Sequence, residues 1–180
     1  MFILPGFLSI KALAAALTLI STVLTAPLPM DRNQELIGKI TMQAMEIMDV
    51  MELKEEELRL IRNLLGIRPL ALEECKSESF SPVACYSQFS NGLKSMHSLL
   101  SSAHLYTEVD LTDLLYDLLE FISNVEEMMT AQGIPIDTHV PKKLPNGITE
   151  FQEKAGIFLI LHDLCNAFNV FQKGLAAQWQ

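Results

Sequence analysis

His162, Asp163 and Cys165 are the side chains of this sequence whose types and spacing come nearest to chemistry. His162 and Cys165, three positions apart, could share a metal on one helical face, but two ligands do not make a structural zinc site. Adjacent helical residues project about 100° apart, so Asp163 cannot simply orient His162 as a base is oriented beside a nucleophile. There is no Gly-rich phosphate loop, no nucleophile elbow and no His-Glu-x-x-His pair. The residues predict no enzyme, no metal and no cofactor.

Other constellations carry more weight. Cys75 and Cys85 flank the start of a predicted helix, and a bridge between them would pin the preceding link to the fold. Chain entropy puts such a loop at about 3 kcal/mol. Cys165 is then unpaired, either a buried inert thiol or a partner for an intermolecular bond. Met42, Met45, Met48 and Met51 form a row that reads first as core filling and second as an adaptable or lipid-holding surface. Asp110, Asp113, Asp117, Glu120 and Glu127 fall on one helical stripe with Asn124 in register. No Lys or Arg occurs between Lys94 and Lys142. Like charges three or four apart cost a helix about 0.2–0.5 kcal/mol each, so the steps from Asp110 to Glu120 cost near 1 kcal/mol together. On the plainer reading the acids simply solubilise such a face. Left unneutralised, the ridge predicts a docking surface for a basic partner, where charge speeds and orients encounter.

Composition bounds the partners. The 180 residues carry 13 Lys+Arg against 22 Asp+Glu, a net charge of −9, which disfavours nucleic-acid binding. Residues 1–26 hold Lys11 as their one charge, then an apolar run and small residues, which reads as a secretory signal peptide. Cleavage is expected after Thr25 or Ala26. An uncleaved anchor is the alternative, although the run is short for a bilayer. Residues 27–180 then form one acidic, secreted domain without a further membrane segment, in a compartment that permits a disulfide. No Asn-x-Ser/Thr site occurs.

The elements that must position these residues are helices. Apolar residues recur at spacings of three and four in four stripes. They are Ile37, Ile40, Ala44, Ile47, Met51; then Tyr86, Phe89, Leu93, Met96, Leu100; then Leu111, Leu115, Leu118, Ile122, Val125, Met129; and last Ile157, Leu161, Leu164, Phe168, Phe171, Leu175. Ser81-Pro82 is expected to cap the second helix and Thr107 the third, with Glu108 and Asp110 in its first turn. Gly133 and Pro135 stop the third, and Pro145-Asn146-Gly147 turns the chain into the fourth. Helices of about 20 residues are roughly 30 Å long. The link near Ser101–Tyr106 is too short to run back along one, whereas Glu52–Phe80 and Gln132–Thr149 can cross over. The prediction is an all-α, up-up-down-down four-helix bundle with two long crossovers. A short extra helix, Glu56 to Leu65, lies in the first crossover with Leu58, Ile61 and Leu65 on one face.

At this point the residues resemble a family, the long-chain helical cytokines of the interleukin-6 and granulocyte colony-stimulating factor group, with the granulocyte branch nearer. The carriers are Glu56-Glu57-Leu58 through Leu64-Leu65-Gly66-Ile67, the Cys75/Cys85 pair, Tyr116-Asp117-Leu118-Leu119-Glu120-Phe121, and Phe151-Gln152-Glu153-Lys154-Ala155-Gly156. The resemblance implies a secreted ligand that bridges class I cytokine receptor ectodomains, of granulocyte colony-stimulating factor receptor or interleukin-6 signal-transducer type. It implies action on myeloid growth, differentiation or immune response. It places Asp117 and Glu120, with Asp113 on the same stripe, on a face made by the first and third helices. It places Glu57, Arg59, Leu60 and Phe151 on a second face near the first crossover and the start of the fourth helix. Glu35 and Glu46 are candidates on the first helix. The family's usual earlier disulfide is absent, its places being held by Ile47 and Leu53. An interleukin-6-like cytokine is one alternative; a secreted helical carrier of an apolar ligand is another.

Overall fold

A computed structural model describes residues 30–53, 55–76, 80–103, 109–138 and 140–177. The expected signal segment and Thr107 lie outside them. The described residues contain helices and no strand: α1 (Met30–Met51), α2 (Glu55–Leu65), a single 3-10 turn (Glu73–Cys75), α3 (Pro82–Ser101), α4 (Thr112–Ala131) and α5 (Glu150–Ala177).

The four stripes become the core. Ile40, Ala44, Phe89, Leu93, Leu118, Val125, Leu161 and Leu164 are all wholly excluded from solvent. Leu114 and Phe121, which the third stripe omitted, join them. Four phenylalanines cross between three helices. Phe89 on α3 stacks on Phe171 of α5 at 3.8 Å and meets Phe121 and Phe168 edge-on at 6.1 Å. Each such ring contributes about 1.5–3 kcal/mol by burial.

The direction of each helix follows from what it touches. Asn33 bonds Asn124 while Lys39 bonds Asp117, so α1 and α4 are antiparallel. Tyr86 bonds Gln132 while His97 bonds Leu115, so α3 and α4 are antiparallel. Tyr86 meets Phe171 and Phe89 meets Phe168, so α3 and α5 are antiparallel too. Hence α1 runs with α3 and both run against α4 and α5, the up-up-down-down order that the link lengths require.

Local punctuation differs from expectation at two ends. Ser81 precedes Pro82 at α3, yet its hydroxyl makes no capping bond. The proline's fixed φ and missing N–H suffice there. The third stripe's helix begins only at Thr112, after Asp110 rather than with it, and Glu108 lies outside the described residues. Asp110 Oδ1 accepts the Thr112 amide at 2.9 Å, and the Thr112 side chain first and this amide second hold the Asp110 carboxyl below its usual pKa. At α5, Thr149 and Gln152 satisfy each other's backbone amides (2.8 and 3.2 Å), a capping box present in the sequence but not singled out from it. Gly133 ends α4 with φ +68°, as its place after the last periodic residue predicts.

Cys75 and Cys85 are bonded and fully buried. The bridge ties the 3-10 turn to the first turn of α3. Gly174 of α5 packs directly on the Cys75 carbonyl, where a Cβ would overlap it.

Candidate functional site

The acidic stripe of α4 is not an open ridge. Asp117 is 4% exposed and accepts hydrogen bonds from Lys39 Nζ and Gln43 Nε2 of α1, both at 2.8 Å. Asp117 raises the Lys39 pKa above the usual 10.5, chiefly through that hydrogen bond. Glu120 accepts from Arg32 at 2.5 Å, and Asn124 donates to Asn33 at 3.0 Å. The expectation of an unneutralised surface is therefore corrected for Asp117 and Glu120. The countercharge comes from α1, because the stripe lies on the flank of α4 that packs against it. Asp113 and Glu127 remain exposed, and Glu120 is half-exposed.

Beside this seam stands a ridge that charge patterning did not single out. Tyr116 is 70% exposed and Leu119 51% exposed, three residues apart on α4. Their signal in the sequence was faint: large apolar residues at positions that the leucine stripe leaves outside. Glu35 and Glu46 are exposed on α1, on the other side of the seam. The methionine row also departs from its core reading. Met42 and Met45 face solvent, Met48 is half-buried and only Met51 is buried. A step of three residues turns a helix by about 300°, so a row of such steps winds from the outer face to the inner one.

The second set of predicted residues is divided. Arg59 and Leu60 line a groove between α2 and α5 together with Arg62, Phe158 and His162. Leu60 is 77% exposed. The groove is held by Arg62, whose guanidinium donates two hydrogen bonds to the buried Asp163 carboxylate, at 2.6 and 3.0 Å. Leu58, Ile61 and Leu65 bury the inner face of α2, which turns Arg59 and Leu60 outward. Phe151 is exposed but stands apart. Leu65 lies level with Gly156, so Phe151 is about 15 Å along the axis from Leu60. Glu57 lies on α2, and its side chain is outside the described residues.

His162 bonds Asn166 at 3.2 Å and lies 3.8 Å from Asp163, which is already committed to Arg62. Among the described residues no three His, Cys, Asp or Glu side chains converge as a metal site. Cys165 is a half-buried free thiol whose pKa burial pushes up, the state of an unreactive cysteine.

These features, a bundle of this topology with a short crossover helix and a bridge after it, can be set beside known proteins. No family model matches the chain. Granulocyte colony-stimulating factor from Bos taurus is 30% identical over 124 residues, 67% of this chain and 64% of that protein. The chain resembles granulocyte colony-stimulating factor. It is a cytokine-like helical bundle, and its match spans less than two thirds of the relative's length.

Proposed function

We propose that the protein is a secreted cytokine that binds and bridges class I cytokine receptors in the manner of granulocyte colony-stimulating factor, after removal of residues 1–26. The observation that carries the proposal is Leu60. A leucine 77% exposed on a helix whose other face is fixed by buried leucines and an Arg62–Asp163 pair is an apolar anchor held ready for a partner. Arg59 and His162 rim it with polar groups, as protein interfaces require. A second surface is supported by Tyr116 and Leu119, flanked by Asp113, Glu120 and Glu35. Asp117 then acts from beneath, by holding α1 against α4 and fixing Lys39 at the rim. Two separate surfaces on one rigid bundle suit a ligand that brings receptor chains together. The resemblance extends this to myeloid growth, differentiation or immune response.

A carrier of an apolar ligand has less to recommend it. The methionine row it would use is half outside, and stacked phenylalanines fill the middle of the bundle.

The test is surface plasmon resonance of residues 27–180 against class I receptor ectodomains, with granulocyte-type and interleukin-6-type receptors in the same panel. Leu60→Asp and Tyr116→Asp should each weaken binding by about tenfold or more while melting stays unchanged. Absence of saturable binding to every ectodomain overturns the proposal.

A further inference from the structure

Five of the eleven lysines and arginines among the described residues are spoken for. Arg32, Lys39, Arg62, Lys76 and Lys94 each hold a carboxylate. Arg68, Lys142 and Lys143 do not, and among the described residues no hydrogen bond or ion pair engages their side chains. All three line one groove, where the first crossover and the loop before α5 run along α3. Arg68 comes from the first loop and Lys142–Lys143 from the second, so the juxtaposition exists only in the folded chain. The carboxylate that also lines the groove, Asp163, is neutralised by Arg62.

The floor of the groove explains why it is open. Leu70 lies on Gly92 of α3, where a Cβ would overlap its side chain, so the crossover is drawn down onto the helix. Met96 and Ile67 beside it are buried in the bundle. What the groove offers a ligand is three unpaired cations on walls of small and aliphatic side chains, Pro69, Leu70, Ala71 and Leu99 among them, with no aromatic anchor. Protein partners take aromatic and aliphatic anchors at the centre of an interface. A ligand that is itself a string of fixed anions needs none, and a guanidinium with two ammonium groups suits sulfate oxygens.

We infer that the Arg68–Lys142–Lys143 groove is a binding site for a sulfated glycosaminoglycan chain. A charge of −9 overall disfavours such a chain elsewhere, and the other unpaired cations among the described residues, Arg59, Lys154 and Lys173, do not line this groove, so binding centres on it and is steeply salt-dependent. For a secreted protein the function would be retention at cell surfaces and matrix. The site does not depend on which receptor is bound; it borders the Leu60 groove at the Arg62–Asp163 pair and shares no lining residue with it.

The experiment measures binding of residues 27–180 to an immobilised heparin-derived oligosaccharide across a sodium chloride series. Three released counterions predict about a tenfold or greater loss between 50 and 150 mM salt. Arg68→Ala, Lys142→Ala and Lys143→Ala should each weaken binding and flatten that salt slope. Their combination should weaken it by about tenfold or more at fixed salt, with melting unchanged. Lys173→Ala, an exposed cation elsewhere, should leave it within about twofold. A triple variant that binds like the parent, or a Lys173→Ala loss as large as the others, overturns the site. Equal binding to polyglutamate or unsulfated hyaluronan overturns the ligand class. The triple variant should keep whatever ectodomain affinity the parent shows, and a chain that binds heparin but no receptor refutes the cytokine reading alone.

Discussion

Replacing Asp117 by lysine separates a structural seam from a surface ridge. The Asp117 side chain is 5% exposed and accepts two hydrogen bonds from α1. Hydrogen bonds to a charged group are worth about 1.5–3 kcal/mol each, but Lys39 lies near solvent and rehydrates when released, whereas Gln43 is half-buried. Asp117→Asn should then cost about 1–1.5 kcal/mol. Asp117→Lys goes further, because it sets a cation against Lys39 in a site closed to water. An unpaired buried charge costs roughly 3–5 kcal/mol, less what a long side chain recovers by reaching past the rim, so about 3 kcal/mol is expected. For a domain of this size 1 kcal/mol moves Tm by about 2–4 °C, giving a fall of about 6–12 °C. Glu120→Lys supplies the contrast. Its partner Arg32 is 67% exposed and Glu120 itself 32%, so the loss should stay below about 1 kcal/mol. The assay is thermal melting by circular dichroism on residues 27–180, with Lys39→Glu/Asp117→Lys as the charge-swapped partner that should recover part of the loss. Equal melting temperatures for the Asp117→Lys and Glu120→Lys proteins would refute the seam.

Other outcomes follow from the packing. Gly174→Ala should destabilise by about 1–3 kcal/mol in urea unfolding, because its Cβ meets the Cys75 carbonyl, a backbone atom locked by the bridge. Gly38→Ala, on an exposed turn of α1 with nothing nearby, should instead stabilise by about 0.5–1 kcal/mol, and the opposite order would sink this account. Cys75→Ser should cost about 3 kcal/mol and lower the melting temperature, and a variant that melts with the parent would show the bridge to be idle. Burial holds the His97 pKa below the usual 6.5, so its contribution is present above that value and is lost as pH falls through the lower folded-state value. His97→Gln should flatten this acid-side decline in a pH series of melts, and an unaltered slope would assign it to other groups.

Much of the fold was legible because its determinants are local. A period of 3.6 shows which side of each helix is apolar, and the four stripes supply just over half of the buried apolar residues. Link lengths then restrict the topology, since a chain cannot return along a 30 Å rod in a few residues. The Cys75–Cys85 bridge was legible for the same reason, ten positions apart at one helix start. The candidate surfaces were legible only in part. Arg59 and Leu60 sit where the face analysis of α2 puts them, outward. Phe151 does not join them, because its distance from Leu60 is set by the register of α2 against α5.

The sequence by itself determined helices, their order and their inner faces, because those depend on spacing within one segment. Only the tertiary structure decided what lies on the flanks. Periodicity tells a residue which side of its own helix it occupies, but not which neighbour closes over the edge. Asp117 looked like bare charge until Lys39 and Gln43, more than 70 residues earlier, covered it. Arg68 and the Lys142–Lys143 pair are more than 70 residues apart in the chain, and the two crossovers set them in one groove. Charge is long-ranged and non-local in sequence, so its balance was settled by which helices met.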